Sequence, residues 1–305
     1  MPRFAVIDLG TNTFHILIVE NVDNSIPFKE IHRERRFVKL AEEGIEKIGE
    51  TPFARGIQTL KDYRTILNQY EVTHFRACGT AALRTATNGK HFMQRALEQA
   101  QISIELLDGN AEARLIQRGV ALTLPLDVTN RYMIMDIGGG SVEFIICENG
   151  QVLWAESFPV GAAVLYKKFH QSDPIQAQEV RAVYQFLEQI LQPLFSALAT
   201  YPTHHLVGAS GTFDVLGRSL ADMQPTDRYI DLSLFQFEPL FSGLLYTTHQ
   251  ERYDRQDIPD ARADMIVVAL ILIDFVIKKT NLQRLSVSSF AMKEGILTEM
   301  LADHK

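Results

Sequence analysis

Cysteine is scarce in this chain: its 305 residues include only two, Cys78 and Cys147, and each lies in an apolar run typical of a β-strand. Two cysteines so far apart exclude a disulfide-rich scaffold, and they do not have the close spacing of a cysteine zinc site. Buried free thiols are the expected state, which is typical of a reducing compartment. We therefore predict a cytoplasmic protein without structural disulfides.

Long apolar runs and an excess of positive charge are also absent. The longest apolar run, Met265 to Ile277, has 13 residues and contains Asp274, so it predicts a buried helix rather than one that spans a membrane. The N-terminus leads into a predicted strand without the pattern of a signal peptide. With 37 acidic and 30 basic residues, the formal net charge of -7 disfavours general nucleic-acid binding. An anionic ligand stays compatible with this charge, because a metal and local arginines can outweigh it.

Three consecutive glycines stand at the centre of the stretch from Tyr132 to Ile146. An apolar, β-rich run ends at Asp136, the glycines Gly138 to Gly140 follow, and a second apolar run begins after Ser141. This order predicts two strands joined by a tight turn. Glycines let a backbone approach a ligand, successive N–H groups in such a turn suit a phosphate, and the aspartate can hold a hydrated divalent cation. An ordinary hairpin with a glycine-rich turn is the alternative.

The same pattern occurs near the N-terminus, from Phe4 to Ile18. Shifting the chain by 128 positions aligns Asp8 with Asp136, Gly10 with Gly138 and Thr13 with Ser141. Internal repetition predicts two related α/β domains that face each other, each with one phosphate-binding hairpin. The candidate link between them is the segment from Thr123 to Asn130.

Two further turns of small residues precede predicted helices, at Gly79–Arg84 and at Gly208–Thr212. Strand-to-helix turns often present ligand groups in α/β proteins, and a helix N-terminus suits phosphate or ribose. A tight structural turn is the alternative at Gly208–Thr212. Another predicted helix begins after Asp108 and has Glu112 in its first turn, where complementing the helix dipole is the simpler interpretation of the glutamate.

Other segments complete the predicted pattern of elements. The basic run His32–Arg36 is interpreted as the solvated face of a strand, with contact to a ligand as the alternative. The second half of the chain predicts a long amphipathic helix over 174–198, helices over 232–250 and 260–279, a strand over 285–288 and a closing helix over 289–301.

Together, these segments resemble the exopolyphosphatase and guanosine pentaphosphate phosphohydrolase family, within the actin-like ATPase superfamily. The segments that carry the resemblance follow one another through nearly the whole chain: Ile7–His15, Gly79–Arg84, Glu112–Ile116, Asp136–Glu143 and Gly208–Thr212. Each alone would be a weak signal, whereas their common order and spacing are specific.

The resemblance implies a fold of the α/β class, with two ribonuclease-H-like (actin-like) domains and a ligand cleft between them. It implies that the last helix crosses back to the first domain, so we expect an N-terminal domain of residues 1–124 plus 289–305 and a C-terminal domain of residues 125–288. The expected partners are inorganic polyphosphate or guanosine pentaphosphate. A homodimer is included among them, because relatives are often dimeric.

The resemblance also implies Mg²⁺ or another divalent cation and hydrolysis of a terminal phosphoanhydride. Glu112 matches the glutamate that acts as base on the attacking water, and Arg84 is expected to clamp non-bridging phosphate oxygens. Three carboxylates are expected to bind or orient the metal and its waters: Asp8, Asp136 and Glu143. The expected substrate-binding residues are Gly10, Thr11, Asn12, Thr13, Gly138, Gly139, Gly140, Ser141, Gly208, Ser210 and Gly211.

The chain departs from the family pattern at three positions. Ala111 stands where a second glutamate often precedes the catalytic one, Phe37 stands where an arginine often precedes the V-x-L-A segment, and Lys293 stands where an arginine often precedes Glu-Gly. Lysine keeps the charge but not the bidentate fork of arginine. Longer relatives have additional C-terminal helical domains, including a His-Asp type module, and no His-Asp doublet occurs here, which weakens the expectation of processive binding to long polyphosphate.

Several functions stay open at this point. The leading hypothesis is an exopolyphosphatase that releases orthophosphate, and the nearest alternative is the same chemistry on guanosine pentaphosphate. An actin-like kinase or ATPase fits the Glu112–Arg114 segment less well. A non-catalytic sensor of nucleotide or polyphosphate is the remaining alternative, because of the departures near Ala111 and Lys293.

Overall fold

The computed structural model describes residues 2–22, 26–125 and 131–304, and it shows mixed α/β structure with two sheets. The strands are β1 (Arg3–Leu9), β2 (Thr13–Asn21), β3 (Phe28–Phe37), β4 (His74–Gly79), β5 (Ile104–Leu106), β6 (Tyr132–Ile137), β7 (Val142–Glu148), β8 (Gln151–Phe158), β9 (His205–Ala209), β10 (Tyr229–Leu232) and β11 (Arg284–Ser288). The helices are α1 (Glu50–Gln69), α2 (Ala81–Thr85), α3 (Gly89–Ala100), α4 (Gly109–Ala121), α5 (Ala162–Phe169), α6 (Ala177–Ile190), α7 (Gln192–Thr200), α8 (Gly211–Ala221), α9 (Leu234–Leu245), α10 (His249–Tyr253), α11 (Asp260–Ala263), α12 (Ile266–Thr280) and α13 (Met292–Ala302).

Internal contacts divide the chain into two compact units. The first comprises the described residues of Met1–Leu122 and Met292–Lys305, and the second comprises those of Thr123–Ala291. The domain boundaries expected from the sequence, 124/125 and 288/289, stay predictions. The expected link from Thr123 to Asn130 lies partly outside the described residues, which omit 126–130.

The sheet of the first unit has the strand order β3-β2-β1-β4-β5. Strands β1, β2 and β3 are antiparallel neighbours, whereas β4 is parallel to β1 and β5 is parallel to β4. The alternation along β1 directs Ile7 into a core with residues of α1 and α3, such as Leu60 and Phe92. Helix α13, the last element of the chain, packs on β1 and on α4.

The sheet of the second unit repeats this arrangement. Its order is β10-β11-β9-β6-β7-β8, with an antiparallel set β6, β7 and β8 and with β9 parallel to β6. Read from β8, the order β8-β7-β6-β9-β11 corresponds to β3-β2-β1-β4-β5 in the first unit. The repeat in the sequence is therefore also a repeat of topology.

Helix α12 is the buried helix that the apolar run predicted. Every residue from Ile266 to Val276 is buried, including Asp274, because the helix lies within the core of the second unit. Among the described helices, none combines the length and the apolar composition that crossing a membrane requires.

Several details of the second unit differ from the sequence-based expectation. The helices expected over 232–250 and 260–279 are each divided, the first into α9 and α10 and the second into α11 and α12. The long helix expected over 174–198 is divided into α6 and α7 at Leu191, and Pro193, which has no N–H to donate, lies in the first turn of α7. Strand β10 was not expected at all. It forms at the sheet edge by antiparallel pairing with β11, a partner more than 50 residues away that no local pattern reveals.

Close packing of α13 against α4 yields a prediction for Gly295. A Cβ atom at this position would lie 1.8 Å from the carbonyl oxygen of Leu115 and 3.1 Å from the nitrogen of Gly119. Gly295→Ala is therefore expected to lower the free energy of unfolding by about 1–3 kcal/mol, the usual cost of overpacking, as measured by denaturant titration. The control is Gly243→Ala in α9, where no atom lies within 4 Å of the added methyl group. Equal stability of Gly295→Ala and the natural chain would contradict this packing.

Candidate active site

The turn between β1 and β2 in the first unit has its carbonyl groups held by protein N–H groups. The Thr11 carbonyl accepts from the Leu40 N–H at 2.8 Å, and the Asn12 carbonyl accepts from the N–H groups of Val38 and Lys39 at 3.1 and 2.9 Å. Within a trans peptide the carbonyl and the following N–H point in opposite directions. The N–H groups of Asn12 and Thr13 therefore point away from these partners, as a phosphate-binding turn requires.

The turn between β6 and β7 in the second unit has a comparable construction. The carbonyls of Gly138 and Gly139 accept from the N–H groups of Ala162 and Ala163 in the first turn of α5, both at 2.9 Å. The N–H groups of Gly139 and Gly140 consequently point away from α5.

Both turns close with the same bond. The Gly10 N–H donates to the Thr13 carbonyl and the Gly138 N–H donates to the Ser141 carbonyl, each at 3.0 Å. A Cβ on Gly10 or Gly138 would lie only 3.0 or 3.1 Å from that same oxygen, which explains glycine at both positions. The repeated hairpins are therefore alike in hydrogen bonding as well as in sequence.

Two buried carboxylates lie side by side in the second sheet. Asp136 on β6 is paired directly with Glu143 on β7, which is in turn paired with Ser157 on β8, so the three side chains share one face. The Ser157 hydroxyl donates to Glu143 Oε1 at 2.6 Å and orients that carboxylate. Mg²⁺ is usually held by one or two carboxylates and several waters, so the chemistry of this pair fits it.

The third expected metal ligand, Asp8, belongs to the first unit. It is paired with His15 on β2, and the His15 ring lies 3.0 Å from the Thr13 hydroxyl. Among the described residues, no group of three or more His, Cys, Asp or Glu side chains has the arrangement of a metal centre. The metal-binding roles of all three carboxylates stay predictions.

Glu112 and Arg84 meet in the first unit. Arg84 Nη1 donates to the Leu107 carbonyl at 2.6 Å and to Glu112 Oε2 at 3.2 Å, and Glu112 is only 6% exposed. The helix cap is provided by Asp108, whose side chain accepts from the Ala111 N–H at 2.8 Å. Burying a carboxylate is costly unless it is paired, and Arg84 supplies that partner for Glu112. An exposed glutamate would be sufficient to complement the dipole of α4, so the dipole alone does not explain a buried, ion-paired glutamate.

The turn after β9 lies next to Asp136 in the second unit. Ala209 is the cross-strand neighbour of Asp136, and Ser210 and Gly211 follow it at the start of α8. Ser210 has a φ of 70°, a left-handed conformation that is uncommon outside glycine. The turn after β9 therefore lies beside Asp136, and the Gly138–Ser141 turn connects the two strands that carry Asp136 and Glu143.

A model of the Ppx/GppA phosphatase family matches residues 17–304 of the chain. The chain belongs to the Ppx/GppA phosphatase family. This confirms the family inferred from the sequence motifs.

Curated relatives in the Ppx/GppA family are longer than this chain. The guanosine-5'-triphosphate,3'-diphosphate pyrophosphatase of Vibrio vulnificus (strain YJ016) is 28% identical over 305 residues, which are 99% of this chain and 60% of the relative. The enzyme of the same name from Vibrio cholerae (strain ATCC 39541) gives the same values. The chain thus spans about 60% of the length of these relatives.

Solved Ppx/GppA structures have the same fold as this chain. An exopolyphosphatase from Cytophaga hutchinsonii ATCC 33406 is 36% identical with a TM-score of 0.94, covering 99% of this chain and 98% of that one. A family member from Aquifex aeolicus, 23% identical with a TM-score of 0.81, covers 100% of this chain and 99% of its own. The expected α/β, actin-like fold class is confirmed, whereas the expected ligand cleft stays a prediction.

Arg35 is a residue of this Ppx/GppA protein that the sequence interpretation missed. It lies on β3 directly opposite His15, and its guanidinium lies 5.0 Å from the ring centroid of Phe37, which is paired with Thr13. The neighbours Arg33 and Arg36 form ion pairs with glutamates and with Asp62. Arg35 is therefore directed along β3 toward the turn at Gly10–Thr13. Strand alternation places Arg33 and Arg35 on one face of β3 and Arg36 on the other, so the sequence pattern alone does not single out Arg35.

Arg262 on α11 is a second missed residue. A Cβ on Gly211 would lie 1.9 Å from Nη2 of Arg262, so the guanidinium rests against the turn that begins α8. Arg262 follows this turn by about 50 positions, and no motif or spacing connects them. Only the folded chain brings this cation to an expected phosphate-binding turn.

Both cysteines are excluded as nucleophiles. Burial raises the pKa of Cys78 and of Cys147 to about 12, so both thiols are protonated at neutral pH. Neither forms a disulfide.

Proposed function

We propose that this chain is an exopolyphosphatase that hydrolyses the terminal phosphoanhydride of inorganic polyphosphate and releases orthophosphate. The observation that carries the proposal is the pair of hairpin turns, Gly10–Thr13 and Gly138–Ser141, whose carbonyls are held by the protein while successive N–H groups point away. Such turns suit the phosphate groups of a polyanion. The 36% identity to an exopolyphosphatase that matches this chain over nearly its whole length supports the same substrate class.

The proposed mechanism assigns one task to each group. Phosphoryl transfer requires that the phosphate is held, that its charge is neutralised and that a water molecule is oriented in line. Asp136 and Glu143, with Asp8, would hold Mg²⁺, which supplies charge neutralisation when bound. Arg84 would contact non-bridging oxygens and hold Glu112 in place, and Glu112 would accept the proton of the water whose oxygen bonds to the terminal phosphorus as the bridging P–O bond breaks.

Guanosine pentaphosphate is the second candidate substrate. The curated relatives that match 99% of this chain are named for a guanosine-5'-triphosphate,3'-diphosphate substrate. Its 5'-triphosphate would offer the same terminal phosphoanhydride to the same residues. The function proposed here therefore concerns one site and two substrates of related chemistry.

Phosphate release by the purified chain tests the proposal. Long polyphosphate, short polyphosphate and guanosine pentaphosphate are compared with Mg²⁺ and with excess EDTA. EDTA-sensitive release from polyphosphate is the expected result, and release from guanosine pentaphosphate alone would transfer the function to that nucleotide. If no phosphate is released from any of the three substrates and nucleotide binding is retained, the chain is a non-catalytic sensor instead of an enzyme.

Asp136→Asn is expected to weaken the apparent affinity for Mg²⁺ by at least about tenfold, because the amide lacks the negative charge that attracts the cation. Titration calorimetry with Mg²⁺ alone measures this without turnover. The control is Asp303→Asn, at the exposed end of the chain after α13. An unchanged Mg²⁺ affinity of Asp136→Asn would show that Asp136 is not a metal ligand.

The compartment and the assembly are also part of the proposal. Two buried cysteines without a disulfide support a reducing cytoplasm. A homodimer is proposed from the family resemblance, and light scattering of the purified chain measures its mass directly.

A further inference from the structure

A groove of about 490 Å³ lies among α6, α9 and α12 of the second unit. Its walls are apolar, formed by Val180 and the ring of Tyr184 on α6 and by Phe241 and Leu245 on α9. Its volume falls within the range of about 300–1,000 Å³ that small-molecule sites occupy, and such sites combine apolar walls with a few polar groups. None of these residues belongs to the turns or carboxylates described above.

Two cations border this groove. Lys278 on α12 contacts it with a side chain that is 56% exposed, and the Lys278 ammonium lies 5.8 Å from the ring centroid of Phe241. Arg181 on α6 is the second cation. Throughout the part of the chain that the structure describes, Arg181 has no hydrogen bond or ion pair, in contrast to most other arginines here.

A buried polar group fixes the Lys278 end of the groove. Asp274 is 1% exposed, accepts a hydrogen bond from the Tyr184 hydroxyl and lies 2.9 Å from the Lys278 ammonium. The carboxylate is therefore already compensated by its own helix and by α6, as a buried charge must be. The ammonium has three donors, and Asp274 engages it from the buried side.

We propose that this groove binds a small aromatic carboxylate, with its ring between Tyr184 and Phe241 and its carboxylate at Arg181 and Lys278. The choice of ligand follows from two observations. Two aromatic side chains line the walls and favour an aromatic body by offset or edge contacts, and an unpaired guanidinium offers the fork that matches a carboxylate.

Fluorescence titration with naphthoate tests the site, and the neutral isostere naphthamide separates the role of charge. Saturable binding of one naphthoate per chain is expected, with naphthamide at least about tenfold weaker, because hydrogen bonds between charged groups contribute on that scale. Excess inorganic phosphate is expected to leave binding unchanged, since the phosphate turns are elsewhere. Absence of saturable binding, equal affinity for both probes or competition by phosphate would each overturn the proposal.

Variants of the groove complete the test. Arg181→Glu is expected to weaken naphthoate binding by at least about tenfold. Arg218→Glu, an exposed arginine on α8 of the same unit, is the matched control and is expected to bind as the natural chain does. Val180→Trp is expected to fill the groove and abolish binding. Equal naphthoate binding by Arg181→Glu and Arg218→Glu would overturn the site. If the natural chain does not bind naphthoate and Arg181→Glu lowers the mass of the oligomer, the groove is a subunit interface instead.

Discussion

Glu112→Gln is expected to reduce phosphate release from polyphosphate by at least about a hundredfold, because a positioned general base contributes roughly 10²- to 10⁴-fold. The amide has nearly the shape of the carboxylate, and its oxygen can still accept from Arg84 Nη1. It has no basic site for the proton of the attacking water. Substrate binding, measured by calorimetry with the inactive variant, is expected to stay within a few-fold of that of the natural chain.

The matched control for this substitution is Glu98→Gln, on the exposed surface of α3 in the same unit. Its turnover and stability are expected to equal those of the natural chain. Unchanged turnover of Glu112→Gln would remove Glu112 from the role of base. A parallel loss of binding and of helical signal would instead indicate that the ion pair with Arg84 serves mainly to hold α4 to the Leu107 segment.

Gly161→Ala is expected to lower turnover by about a hundredfold, because a displacement of about 1 Å in a positioning element can have that effect. The added Cβ would lie 2.4 Å from the carbonyl carbon and oxygen of Gly139 and 2.5 Å from the nitrogen of Ser141. All three are backbone atoms, so the Gly138–Ser141 turn or α5 must move. The N–H groups that are proposed to hold phosphate move with the turn.

Gly243→Ala is again the control, since it adds a methyl group in a helix without meeting any atom within 4 Å. A helical alanine is expected to stabilise that variant by up to about 1 kcal/mol without changing turnover. Two further measurements on Gly161→Ala separate its effects. The affinity for phosphate reports a change in the binding turn, and the thermal midpoint reports a change in the stability of the fold. Turnover and phosphate affinity equal to those of the natural chain would show that the position of this turn does not limit the reaction.

The sequence was sufficient for the family, the α/β class and the repeated hairpins, because these depend on local patterns. Apolar β-rich runs that end at Asp8 and Asp136, followed by turns of small residues, formed strands β1 and β6 and their turns as expected. The buried helix α12 could likewise be predicted, since an apolar run that is too short to span a membrane is expected to lie in the protein core. The roles of the expected site residues and the cleft between the domains stay predictions.

Tertiary structure alone decided which side chains and turns of the candidate site contact one another. Glu112 meets Arg84 across 28 positions, Ser157 holds Glu143 across 14, and Ala162 and Ala163 orient the turn at Gly138 and Gly139. Arg35 and Arg262 come to the expected phosphate turns only through strand pairing and helix packing. Local periodicity reports which face of an element is apolar, whereas the partner of a polar group depends on the packing of distant segments, which no local pattern encodes.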